Sequence, residues 1–186
     1  MSGLFTLNTD FLILSFQALM LLAVVTWVFS TWLQDVSIVD YIWSLLTLLA
    51  VVTYSYSSSV SGSLGPVGIG MLLMVVIWAL RLAYFLMVRG HNKPEDRRYQ
   101  VIRKRNSPNF TFKSLYLIFI FQATVAWVMS VSFVPVFDMS MEQQNNWTFW
   151  HSLGAAIWLF GFIYESVADH QLHSFNRKLV TPGLTL

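Results

Sequence analysis

Four ionisable residues sit where hydrocarbon tolerates few: Asp40, Arg81, Glu165 and Asp169 all lie within or at the edge of long apolar runs. A carboxylate or guanidinium there costs about 2.5–3.5 kcal/mol on insertion scales, so each must pair, face a wet cavity or snorkel to the interface. Glu165 and Asp169 are four residues apart and therefore share one face of a helix, and the same stripe continues to His173 and Asn176. Arg81 stands eight residues from Arg89. That is roughly 12 Å along a helix, further than snorkelling alone would carry its guanidinium, so it calls for an internal anion. Two readings stay open. Glu165 or Asp40 neutralises Arg81 as an interhelical ion pair, which leaves one carboxylate unexplained, or all four charges line a shared polar cavity.

A second group of candidates lies in one loop. Of the eleven Lys and Arg residues, eight fall between Arg89 and Lys113, and only Arg81, Arg177 and Lys178 lie elsewhere. Such a loop suits either anionic lipid headgroups, at about 1 kcal/mol per basic residue, or the phosphates of a soluble cofactor. The run Glu95-Asp96-Arg97-Arg98-Tyr99 interleaves acids, guanidinium groups and an aromatic, which a lipid-binding polybasic segment does not require. Pro94 at a first helical position, Glu95 and Asp96 in the first turn and Arg103, Lys104 and Arg105 at the end predict a short interfacial helix.

The elements that must position these residues are membrane helices. A chain of 186 residues that is 56% hydrophobic and 11% charged cannot hide its apolar side chains in one water-soluble core. Five segments have the roughly 20-residue length a span requires: Phe11 to Phe29, Ile38 to Tyr56, Gly68 to Val88, Leu115 to Val134, and Trp147 to Ala168. The expected fold is an all-α polytopic transmembrane bundle of about five spans, forming one integral membrane domain over residues 1–186. The first span reads as a retained anchor, because Met1 to Asp10 carries no positive charge.

The positive-inside rule places the basic loop and the C-terminus in the cytoplasm. Ser57 to Gly65 reads as an external loop, and Gly65, Gly68 and Gly70 are spaced wrongly for a dinucleotide fingerprint. Gly154, Gly161 and Ala168 recur every seven residues, predicting a face that a neighbouring backbone approaches closely. With no cysteines, disulfide and thiolate chemistry are excluded. The expected partners are the lipid bilayer and a hydrophobic small molecule, not nucleic acid.

Three motifs together resemble a known family. Val36-Ser37-Ile38-Val39-Asp40-Tyr41-Ile42-Trp43, the Glu-Asp-x-Arg-Tyr-x-x-x-Arg pattern from Glu95 to Arg103, and Glu165-x-x-x-Asp169-x-Gln171 followed by Phe175 resemble the DUF1295 branch of the membrane proteins related to steroid 5-alpha-reductase. The resemblance implies an all-helical reductase that takes NADPH from the cytoplasm and delivers hydride to an enone carbon-carbon double bond in a steroid-like or other lipid substrate. It further implies that Arg98, Tyr99 and Arg103 face the phosphate and adenine portion, and that Glu165 and Asp169 hold the nicotinamide end. His173 and Arg177 are further cofactor-binding candidates. Asp40 is expected to polarise the substrate carbonyl as a neutral acid. The membrane would be the endoplasmic reticulum in a eukaryote and the inner membrane in a bacterium.

One departure bears on activity. The family continues beyond a Gly-Leu pair like Gly183-Leu184 with an aromatic residue and an Arg-His-Pro-Asn-Tyr motif, whereas this chain stops at Leu186. A truncated, inactive reductase is the expectation unless another subunit completes the site. Two alternatives stay open: a non-catalytic membrane protein whose basic loop binds anionic lipid, and a methyltransferase of the isoprenylcysteine type.

Overall fold

In lipid the backbone must satisfy its own hydrogen bonds, so the apolar runs fold as helices. The computed structural model describes residues 9–90 and 94–180, with the side chains of residues 10, 173 and 176–180 outside the described set. Those residues contain seven helical elements and no strand. They are α1 (Thr9–Leu33), α2 (Ile38–Val60), α3 (Pro66–Gly90), α4 (Arg97–Arg105), α5 (Phe110–Phe137), α6 (Met141–Asn145) and α7 (Phe149–Val180). The fifth is composite: a π-helical turn occupies Leu115–Ile120 and a 3-10 turn Val131–Phe133.

Four of these elements, α1, α2, α3 and α5, are long and apolar enough to cross a membrane. The chain is therefore an all-α, multi-pass integral membrane protein. The expected fifth crossing folds as part of α7, a single 32-residue helix running well past Ala168. It is not among those four; His151, Glu165 and Asp169 dilute its apolar character.

The chain divides into two units, residues Met1–Asn146 and Trp147–Leu186. In the first, α2 is the central helix, with 44% of its most apolar window buried, and it packs against α1, α3 and α5. Contact between lipid-embedded helices depends on close approach rather than on expulsion of water, so small residues belong at the crossings. Ala50, Ala79, Ala123, Ala126 and Ser44 are all fully buried, and the Ser44 hydroxyl donates to the Ala79 carbonyl of α3 at 2.9 Å. A polar chain crosses the same core: the hydroxyl of fully buried Tyr54 meets Ser130 at 2.8 Å and Ser15 at 3.3 Å, and the Trp127 indole donates to Ser15 at 3.1 Å. Leu21, Leu73 and Phe121 point outward instead, as lipid-facing residues do.

One local expectation is corrected. The Ser57 to Gly65 segment is not all loop, because α2 continues to Val60 and buries Ser58. The Asp138 to Asn146 segment contains α6, started by a capping box in which Ser140 and Gln143 satisfy each other's backbone N–H groups. Gly65 and Gly68 permit a close approach: a Cβ would come within 2.7 Å of the Gln144 Cβ at the first and 2.9 Å of a Leu64 methyl at the second.

Candidate functional site

Helix α4 begins later than Pro94 predicts. Asp96 is its N-cap, accepting the Arg98 backbone N–H at 2.8 Å, and Arg97 is the first helical residue. An N-cap carboxylate satisfies an orphan donor and complements the helix dipole, which outweighs the preference of Pro94 for a first position. The basic residues Arg103, Lys104 and Arg105 close the helix, as expected.

The segment before α4 is stitched to the turn between α1 and α2. Glu95 accepts the Val36 backbone N–H at 3.0 Å, and the Asp96 N–H donates to the Ser37 hydroxyl at 2.8 Å. Arg103 returns to the same Glu95 through Nε at 3.0 Å and Nη2 at 2.7 Å, a forked pairing that fixes its guanidinium plane. Its Cζ lies 4.6 Å from the centre of the Phe110 ring, and Nη2 also reaches the carbonyl of Gln34, a residue at φ 57° that ends α1.

Asp40, in the first turn of α2, is the hub of the remainder. One oxygen accepts the Tyr99 hydroxyl at 2.6 Å and the other accepts Arg98 Nη2 at 2.9 Å. Gln122 of α5 donates to the Tyr99 oxygen at 3.2 Å, while its own carbonyl oxygen is buried without a hydrogen-bond partner among the described residues. Both Asp40 oxygens are thus engaged, one by a phenol and the other by a guanidinium. The structure thus brings Asp40, Arg98 and Tyr99 into one network with Gln122, and sets Arg103 beside it through Glu95.

Glu165 and Asp169 share a half-buried face of α7 with Phe162 and Ser166, while the side chains of His173 and Asn176, which continue the predicted stripe, lie outside the described residues. Arg81 is half-buried on α3. The side chains of His173 and Arg177 lie outside the described residues. Gln122 carries no charge and no motif, so only its apolar surroundings could have marked it; Ser37 stands inside the motif around Asp40 but without a role assigned to it.

The network holds its charges firmly. The hydrogen bond from Arg98 holds the Asp96 carboxyl below the usual range, and the same contact, with Asp40 nearby, raises Arg98 further. Burial, then the hydrogen bond to Asp40, pushes the Tyr99 phenol well above its ordinary value of 10.0. The folded chain therefore keeps a proton that the unfolded chain releases near pH 10. The associated stability is whole below that pH and falls as pH rises toward the folded-state value. The melting midpoint is expected to decline above about pH 10, and Tyr99→Phe should flatten that decline; an unchanged pH profile in the variant would contradict this.

Fold and site define a multi-pass helical membrane protein with a fixed network of charges and hydroxyls at one end of its bundle. Over residues 26–186 the chain matches the model of the family described as Protein of unknown function (DUF1295), and it belongs to that family. No curated protein and no solved structure matches it.

Proposed function

We propose that the chain is an NADPH-dependent membrane reductase related to the steroid 5-alpha-reductases, acting on an enone double bond in a lipid-like substrate. The observation that carries this reading is the individual fixing of Arg98 and Arg103 by carboxylates on a rigid helical scaffold. Attraction to a lipid surface would not need each guanidinium held in one direction, whereas positioning a coenzyme does.

The donor set suits such a ligand. Arg98 has a side chain 68% exposed, and its Nη1 makes no hydrogen bond among the described residues, so it can accept a phosphate while Asp40 and Asp96 hold the rest of the group. The buried carbonyl oxygen of Gln122 offers an acceptor to a hydroxyl or amide N–H. Arg103, already forked onto Glu95, serves as a positioning residue that keeps α4 on its seat, and Asp40 acts through Arg98 and Tyr99. Glu165 and Asp169 are assigned to the nicotinamide end by resemblance. When bound, NADPH supplies hydride; the protein supplies orientation and an apolar surround that excludes water. The basic loop and the C-terminus face the cytoplasm in this proposal, with α7 providing the fifth crossing.

The test is a titration of the reconstituted protein with NADPH, followed by nicotinamide fluorescence. Saturable binding is expected, weakened about tenfold or more by Arg98→Ala and by Asp169→Ala, as loss of a charge-assisted contact implies. Titrations indistinguishable among the three proteins would refute the assignment, and a response to S-adenosylmethionine in place of NADPH would redirect it to methyl transfer.

A further inference from the structure

The structure divides the cations of α4 into two sets. Tyr99, Ile102, Arg103 and Asn106 form the less exposed face, held by Asp40 and Glu95. Arg97, Val101, Lys104 and Arg105 fall at helical spacing on the opposite face and are all exposed. None of those three cations makes an ion pair among the described residues, and the carboxylates nearest in sequence, Glu95 and Asp96, are occupied by Arg103 and Arg98. We infer that this outer face of α4 is a docking surface for anionic phospholipid headgroups of the leaflet that α3 and α5 enter.

Geometry and charge both favour that occupant. Six residues separate Gly90 of α3 from Arg97, and four separate Arg105 from Phe110 of α5. At about 3.3–3.6 Å per residue the longer tether spans on the order of 20 Å, so α4 cannot leave the neighbourhood of the membrane boundary. Val101, 46% exposed, sits among the basic side chains, and Phe112, 70% exposed, follows at the entry to α5. Exposed apolar residues between long cationic stems are the pattern of a helix lying in an interface, where stems rest on acyl chains and charges meet phosphates. Because the inner face is already bonded to α2 and the α1–α2 turn, the outer face is presented without any ordering step. The inference does not rest on the reductase reading.

The chain has no cysteine, so Val101→Cys introduces a unique attachment point for an environment-sensitive fluorophore. Labelled protein would be reconstituted in bilayers of phosphatidylcholine alone or with about one third phosphatidylglycerol, and quenched either by spin-labelled lipid or by aqueous iodide. The expected result is stronger lipid quenching and weaker iodide quenching in the anionic bilayer, reversed by salt because these charges are screened. The triple variant R97Q/K104Q/R105Q should lose the dependence on anionic lipid while keeping its melting midpoint and its NADPH titration. Equal iodide access in both bilayers would overturn the inference. So would protection of the label by inorganic pyrophosphate with no effect of anionic lipid, which would assign these cations to a soluble phosphate ligand.

Discussion

Replacing Asp40 with Ala is expected to destabilise the protein by about 2–3 kcal/mol, mostly through Tyr99 rather than Arg98. Arg98 is largely exposed and rehydrates when its partner goes. Tyr99 is only 5% exposed, and without Asp40 its hydroxyl proton has no acceptor, because Gln122 approaches the same oxygen as a donor. The penalty is that of a buried donor left unmet together with the loss of a charge-assisted bond of 2.6 Å. Asp40→Asn keeps an acceptor for Tyr99 and should recover more than half of the loss. Thermal unfolding of the two variants in one detergent separates these contributions. Equal destabilisation by Asn and Ala would show that acceptance from Tyr99 is not what the carboxylate provides.

The second large effect is expected at the other end of the bundle. Gln144 is fully buried; its Oε1 accepts the Gly68 N–H at 2.7 Å and its Nε2 donates to the Val136 carbonyl at 2.6 Å. Gly68 lies in the first turn of α3, where backbone N–H groups lack helical partners, so the side chain of α6 acts as a remote cap. Gln144→Leu retains the volume but strands two backbone groups away from water, at about 1–3 kcal/mol each. A total loss of about 2–5 kcal/mol is expected, with faster proteolysis in the segment after α5. Gly65→Ala should disturb the same junction by a different route, since the Gln144 backbone carbon is only 3.3 Å from the added methyl position. Wild-type melting of Gln144→Leu would contradict the role given to this amide.

These two junctions show what could be read from the residues beforehand. Long apolar runs locate α1, α2, α3 and α5 within a few residues, because hydrophobic length is a local property. The clustering of Arg98, Tyr99 and Arg103 on one helix follows from spacing. Their partners do not: Asp40 meets Tyr99 across 59 positions, and Gln144 meets Gly68 across 76. Uncharged Gln122, Ser37 and Gln144 give no sign in a single sequence of which neighbour they will satisfy. Glu95 reads as a helix-start acid, yet it lies outside α4 and binds Arg103 within it. The cap position of Asp96 was open to inspection, since Asp is favoured there, but Pro94 supplied a competing signal.

The wide turn at Leu115–Ile120 sets a phase relation within α5. A π turn accommodates an extra residue relative to the α spiral, so the helix beyond it is rotated against the helix before it. Upstream, the Thr111 carbonyl receives the Trp27 indole; downstream, Gln122 meets Tyr99 and Trp127 meets Leu12 and Ser15. Winding these same six residues as a regular α-helix, with none removed, would swing everything after them by about 100°, turning Gln122 and Trp127 toward lipid while Thr111 stayed in place. The local winding of this span, not the thickness of the bilayer it crosses, therefore sets which way its second half faces.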